Sequence, residues 1–183
     1  MTEAFDWEHG VFMGSIMGSE KTAAAAGTVG ELRFDPMAML PFCGYHMADY
    51  FAHWLETGRR EGAKLPKIFM VNWFRKDGKD KFLWPGFGEN SRVLAWIAER
   101  CDDEAAAEPT PIGLVPAAGA IDVSGLDLPE GAMEKLLDVD PAEWREQLPQ
   151  LRDHLATFGE KLPPELGEQL RKLEERLSSE ARS

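Results

Sequence analysis

Residues 67–101 read KIFMVNWFRKDGKDKFLWPGFGENSRVLAWIAERC, and two incompatible periodicities flank one broken loop. KIFMVNWF, residues 67–74, is a short apolar run rich in strand formers and predicts a buried strand. ENSRVLAWIAERC spaces its apolar residues for one face of a helix, with Asn90 or Ser91 placed to cap it. We therefore read the chain as α+β, a mixed α/β fold. Between strand and helix, Trp73, Phe74, Phe82, Trp84 and Phe87 alternate with Arg75, Lys76, Lys79 and Lys81. That stretch is too aromatic for an ordinary surface loop and too charged for a core element. Ligands often meet a sheet at strand ends, which makes it the candidate site.

The other segments are read around this one. Residues 1–18 have strand-like apolar content and no evident helix cap. SEKTAAAAGTVGEL, residues 19–32, is almost bare of anchoring side chains, and its glycines break any helical turn that the alanines favour. It reads as a flexible surface loop, or as a lid hinged on its glycines. From Tyr45 onward Met47, Tyr50, Phe51, Trp54 and Leu55 keep helical spacing, and Gly58 is expected to end that helix. His46 and His53 lie seven apart on it and read as structural. EAAAEPTP reads as a linker and PIGLVP as an extended piece. The ending reads as two helices broken at Pro163 and Pro164, with Leu166, Leu170, Leu173 and Leu177 as the apolar stripe of the second.

Charge narrows the partners. The net charge of -12 is concentrated in residues 99–183, which carry 9 basic and 20 acidic residues, against 11 and 12 in residues 1–98. An acidic ending argues against nucleic-acid polymers and anionic membranes, but not against one nucleotide in a local basic pocket. No apolar run approaches the roughly 20 residues of a membrane helix, and the first residues lack signal-peptide character. Cys43 and Cys101 are expected to be reduced thiols of a cytoplasmic protein.

Several catalytic devices are missing from the sequence. It has no GxxxxGK[ST] phosphate loop, no Gly-x-Ser-x-Gly elbow and no metal-ligand spacing. What remains is the aromatic stretch. A purine is a flat plate with polar edges, and gripping it takes rings on its faces and amides at its rim. Phe74, Phe82 and Phe87, spaced by eight and five, suit a loop that folds back on itself. Asn90 carries a donor and an acceptor in one amide, and Gly86 and Gly88 would let the backbone approach a base. On the residues alone, a hydrophobic turn whose rings fill the core stands level with this reading.

The order of longer pieces decides more. FDWEHGVFMGSIMGSE, KTAAAAG, DPMAMLPFCGY, FAHWL, KLPKIFMVNWF and the 72–97 stretch together resemble the GTP-dependent phosphoenolpyruvate carboxykinases, in their bacterial wording. The likeness covers most of residues 3–116 and, more loosely, the helical tail. It implies a lyase of gluconeogenesis that decarboxylates oxaloacetate and phosphorylates the resulting enolate with GTP, giving phosphoenolpyruvate, GDP and carbon dioxide. Manganese and magnesium would be its metals, and the parent is expected to be a monomer. By the same resemblance Phe74, Phe82 and Phe87 surround the guanine, Asn90 reads its edge, and Gly88 and Glu89 line the backbone between; Trp73 and Trp84 are expected to flank this pocket. Residues 19–32 match the lid that shields the enolate, including Ser19, Glu20, Thr22, Ala23, Ala24, Ala25 and Gly27.

The resemblance also implies gaps. The family's phosphate loop, metal ligands and substrate arginines have no counterpart in this sequence. It is therefore expected to be a C-terminal fragment, inactive alone, with no metal ligands of its own. Residues 1–116 would belong to the nucleotide-binding domain, with the guanine pocket at 72–92, and residues 117–183 would form its helical tail. The alternative is a standalone, non-catalytic module that binds guanine nucleotides.

Overall fold

The computed structural model describes residues 1–20 and 32–180. In chain order its elements are β1 (Thr2–Glu3), α1 (Trp7–Ser15), β2 (Gly18–Glu20), β3 (Leu32–Phe34), α2 (Met47–Arg59), β4 (Phe69–Met70), α3 (Asn90–Cys101), β5 (Ala107–Thr110), β6 (Gly113–Pro116), α4 (Ala132–Leu137), α5 (Pro141–Ala156) and α6 (Pro164–Glu180). Short 3-10 turns lie at Pro36–Ala38, Leu40–Phe42, Phe87–Glu89 and Gly159–Lys161. This is an α+β chain that ends in helices. None of the described helices is long and apolar enough to cross a membrane.

Two compact units divide it. The first comprises Met1–Phe5 and Pro66–Asp140, the second Asp6–Leu65 and Pro141–Ser183. The boundary expected at residue 116 falls inside the first unit.

The first unit is built on an antiparallel sheet in the order β4-β1-β6-β5. Glu3 faces Phe69 on one side and Leu114 on the other, which fixes the register of the central strands. Trp84, Val93, Trp96 and Ile121 form the core, with Phe69, Trp73, Ile97 and Leu136 packed around it. A buried ion pair ties α3 to the sheet: Arg100 Nε and Nη2 donate to the Glu3 carboxylate at 2.7 and 3.2 Å. Lys67 Nζ stands 4.0 Å from the same carboxylate and 2.5 Å from Asp103. Bidentate geometry and a nearby second cation are what make such a buried carboxylate tolerable.

The second unit is mainly helical, with β2 and β3 paired as a two-stranded antiparallel sheet. Phe12 of α1, Phe51 and Leu55 of α2, Leu151 and Leu155 of α5, and Leu166, Leu170, Leu173 and Leu177 of α6 are all buried. The leucine stripe read from the sequence is thus the buried face of α6. Phe158 meets Phe51 edge-on, with ring centroids 5.2 Å apart. His154 stacks on Phe34 of β3 at 4.1 Å, and its Nε2 lies 2.8 Å from the Ser15 carbonyl oxygen. His46 accepts the Ala48 N–H through Nδ1 and so caps α2, a structural role as expected.

Five local expectations are corrected. Residues 1–18 are not strand-like throughout: Asp6 accepts the His9 N–H at 2.8 Å and starts α1, a cap hidden within FDWEHG. The strand expected over 67–74 is only Phe69–Met70 and is half-buried, because a single neighbouring strand, β1, pairs with it. EAAAEPTP is no linker, since it contains β5. That strand lies at the sheet edge, where Pro109 can lack an N–H without breaking the ladder. Gly58 does not end α2, which runs on to Arg59; a side chain there would strike the Trp7 indole, 2.4 Å from an added Cβ. Neither Asn90 nor Ser91 caps α3: Glu89 holds the cap position without a side-chain bond, and Asn90 is the first helical residue.

Candidate functional site

The aromatic stretch belongs wholly to the first unit. Residues 75–83 fold back on themselves. Leu83 N–H donates to Arg75 O at 2.9 Å, Asp77 N–H donates to Lys81 O at 2.8 Å, and Lys76 bridges Phe82 as in an antiparallel ladder. Asp77 makes the turn, as its Oδ1 accepts the N–H groups of Lys79 and Lys81 at 2.8 and 2.9 Å. Those two bonds hold its carboxyl below the usual aspartate range. This is the self-folding loop that the spacing of the rings suggested.

Pairing sorts the side chains. Leu83 and Trp84 turn into the core, while Phe74 and Phe82 stay 70% and 57% exposed with ring centroids 6.2 Å apart. The rings therefore do not fill the core. Lys76 Nζ lies 5.4 Å from the centre of the Phe82 ring and 2.8 Å from Asp80 Oδ1. Arg75 reaches back instead, donating to the carbonyl oxygens of Leu136 and Asp138 at 3.3 and 2.9 Å and so anchoring the loop on the C-terminus of α4. Trp73 is half-buried against the core.

The second half of the site is the turn before α3. Gly86 and Phe87 both have left-handed backbones, with φ of 76° and 50°, and Phe87 is 95% exposed. A phenylalanine there carries strain of order 1–3 kcal/mol, which the surroundings must hold. Glu89 N–H donates to Gly86 O at 3.1 Å, and Ser91 Oγ donates to Gly88 O at 2.7 Å. Arg92 Nε donates to Glu89 at 2.5 Å, and its other nitrogens donate to the carbonyl oxygens of Asp122 and Ser124 at 2.9 and 3.1 Å. An added Cβ at Gly88 would meet open space. Trp84 Nε1 donates to Asn90 Oδ1 at 3.0 Å.

Of the expected binding residues, the structure pairs Phe74 with Phe82 and joins Asn90 to the core through Trp84. Phe87 forms no ring pair among the described residues. The supports were not legible: nothing in the spacing of Arg75, Arg92 or Trp84 distinguishes an anchor from a ligand contact. Of the expected lid residues, Ser19 and Glu20 lie in β2, and Ser19 Oγ donates to the buried Asp35 at 3.3 Å. Thr22, Ala23, Ala24, Ala25 and Gly27 lie outside the described residues. Both cysteines are free thiols. Among the described residues no three of His, Cys, Asp and Glu gather as a metal site would require.

Phe74, Phe82 and Phe87 are thus exposed rings on a braced loop and turn that lead to the Asn90 amide. The match to known proteins is specific. Residues 1–176 fit the family model of the phosphoenolpyruvate carboxykinase C-terminal P-loop domain. The chain belongs to the GTP-dependent phosphoenolpyruvate carboxykinase family, as its C-terminal part. It is 53% identical over 179 residues to phosphoenolpyruvate carboxykinase (GTP) of Treponema pallidum (strain Nichols), with 96% of this chain and 29% of that protein covered. For the protein of the same name from Neocallimastix frontalis the identity is 55% over 175 residues, covering 94% and 29%. For that of Paenarthrobacter aurescens (strain TC1) it is 50% over 178 residues, covering 97% and 29%. The chain thus spans under a third of the length of the curated relatives it matches.

Proposed function

We propose that this chain supplies the guanine pocket and the active-site lid of a GTP-dependent phosphoenolpyruvate carboxykinase. The observation that carries the reading is the display of Phe74, Phe82 and Phe87 on a braced loop and turn leading to Asn90. A base stacked on such rings gains about 1–3 kcal/mol for each. Phe74, Phe82 and Phe87 would take the faces of the guanine, with Trp73 behind them. Asn90 would read its edge, and the backbone of Gly88 and Glu89 would line the approach. Lys76 and Lys79 would give the pocket a local positive field within an acidic chain.

The whole protein would decarboxylate oxaloacetate and phosphorylate the enolate with GTP, as a monomeric, cytoplasmic lyase of gluconeogenesis without nucleic-acid or membrane partners. The lid would span residues 19–32 and keep water from the enolate. Within the whole protein, residues 1–116 would belong to the nucleotide-binding domain and residues 117–183 to its helical tail. Manganese and magnesium would serve the phosphoryl transfer. The described residues of this chain do not make up a site for them. The phosphate grip would likewise come from the rest of the protein, and this chain alone would be inactive.

Two assays test the reading. Titration with GDP and separately with ADP, followed by tryptophan fluorescence, should saturate with GDP well ahead of ADP. A folded chain that answers to neither would sink the pocket. The purified chain given oxaloacetate, GTP and manganese should form no phosphoenolpyruvate; product formation would overturn its assigned incompleteness.

A further inference from the structure

The bond between Trp84 and Asn90 has a chemical direction. An indole N–H can only donate, so the atom it faces at 3.0 Å must be the amide oxygen of Asn90 and not its nitrogen. Trp84 is itself fixed, buried in the core with Val93, Trp96 and Ile121. Asn90 is half-buried at the first turn of α3, directly after the turn that displays Phe87. With Oδ1 committed to the core, Nδ2 has no partner among the described residues and is the end left to face a ligand.

We infer that Trp84 is a positioning residue that sets base choice by locking the Asn90 amide with its donor end outward. This deepens the proposed function and rests on it. A purine with an acceptor at position 6 accepts from Nδ2, as guanine does through O6. Adenine presents an amino donor there, and donor would meet donor. Flipping the amide to suit adenine would turn its NH2 onto the indole N–H and leave two donors face to face in a partly buried contact. The preference for a 6-oxo purine is thus held by a residue that need not touch the base.

The test is calorimetric titration of the 183-residue chain with GDP and ADP, repeated on Trp84→Phe and Asn90→Asp. Trp84→Phe keeps a ring in the core but removes the N–H, so either amide orientation becomes available. The ratio of GDP to ADP affinity should fall about tenfold, the worth of one base-edge contact. A residue that merely packed would shift both affinities together and leave the ratio alone. Should Trp84→Phe prove unfolded by circular dichroism, Asn90→Asp decides. Its carboxylate still accepts from the indole but offers no donor, so the ratio should again fall about tenfold while the Trp84 indole proton resonance stays in place. An unchanged ratio in the folded Trp84→Phe chain overturns this inference and leaves the functional reading standing. Where that chain is unfolded, an unchanged ratio in Asn90→Asp overturns this inference together with the assignment of Asn90 to the base edge, while GDP binding itself still supports the ring pocket. A wild-type chain that binds neither nucleotide overturns both.

Discussion

The second unit buries Phe12 and Phe51 in its core, whereas the first displays Phe74, Phe82 and Phe87 on a loop and turn. Phe12 and Phe51 lose nearly all their surface among four helices, where each ring fills space that an apolar helix face would otherwise open to water. Phe74, Phe82 and Phe87 keep most of theirs, although Leu83 and Trp84 between them are buried. The difference does not come from residue type. It comes from what holds the backbone: Arg75, Asp77 and Arg92 fix the loop and turn through polar bonds, so the rings are not needed to fold it. Rings freed from structural duty in this way are available to a ligand.

The sharpest break between the two sets should appear in stability. Phe51→Ala should cost about 3–5 kcal/mol, the range for emptying a large ring from a core, seen as a lowered urea midpoint. In the first unit the equivalent loss should come from charge. Arg100→Ala leaves Glu3 buried without its bidentate partner and should cost about 3–5 kcal/mol. If either variant unfolded at the wild-type midpoint, that unit's account of its core would be wrong.

Acid should act next, and on the second unit. Burial, reinforced by Arg176, pushes His9 down to about 4 from 6.5, against a smaller opposing pull from Asp6. Burial also lowers His154, against the upward pull of its bond to the Ser15 carbonyl. Both groups are held neutral in the folded chain. Their contribution is complete above pH 6.5, and for His9 it is lost as pH falls from there toward about 4. At about 1.4 kcal/mol for each pH unit, His9 alone should remove roughly 3 kcal/mol over that window. His9→Phe should flatten the pH dependence of the melting temperature, and an unaltered slope would show that His9 titrates normally.

Phe87→Gly should separate binding from folding. It removes the ring and relieves the left-handed strain together, so stability should hold within about 0.5 kcal/mol or rise. GDP affinity should fall by about 1–3 kcal/mol. Loss of stability instead would make Phe87 structural and erase the contrast with Phe51. The smallest effect is expected on the surface. Arg152 bonds Glu174 at 2.9 Å with both side chains partly in water, and Arg152→Ala should cost less than about 1 kcal/mol in the same urea series.

Periodicity revealed the long elements and missed the short ones. The α6 stripe and the α2 pattern were legible because each buries one face over several turns. The Asp6 cap was missed because apolar residues surround it, and β5 because Pro109 is tolerated only where an edge strand needs no donor. At the candidate site the rings and the Asn90 amide stood out by residue type, and the resemblance supplied their expected roles. The bracing from Arg75, Arg92 and Trp84 joins residues as far apart as 63 positions, and local spacing carries no trace of it. Long words shared in order, from FDWEHG to GFGEN, located the family where single motifs could not.

If the displayed rings and Asn90 form a guanine pocket within this chain, they should hold GDP without the rest of the protein. The direct measurement is a GDP titration of the wild-type chain and of Phe87→Gly, with circular dichroism to establish that both are folded. Saturable GDP binding by the wild type, weakened in the folded Phe87→Gly chain, is the predicted result. Equal binding by the two would move the base elsewhere, and a folded wild type that never saturates would contradict the claim outright.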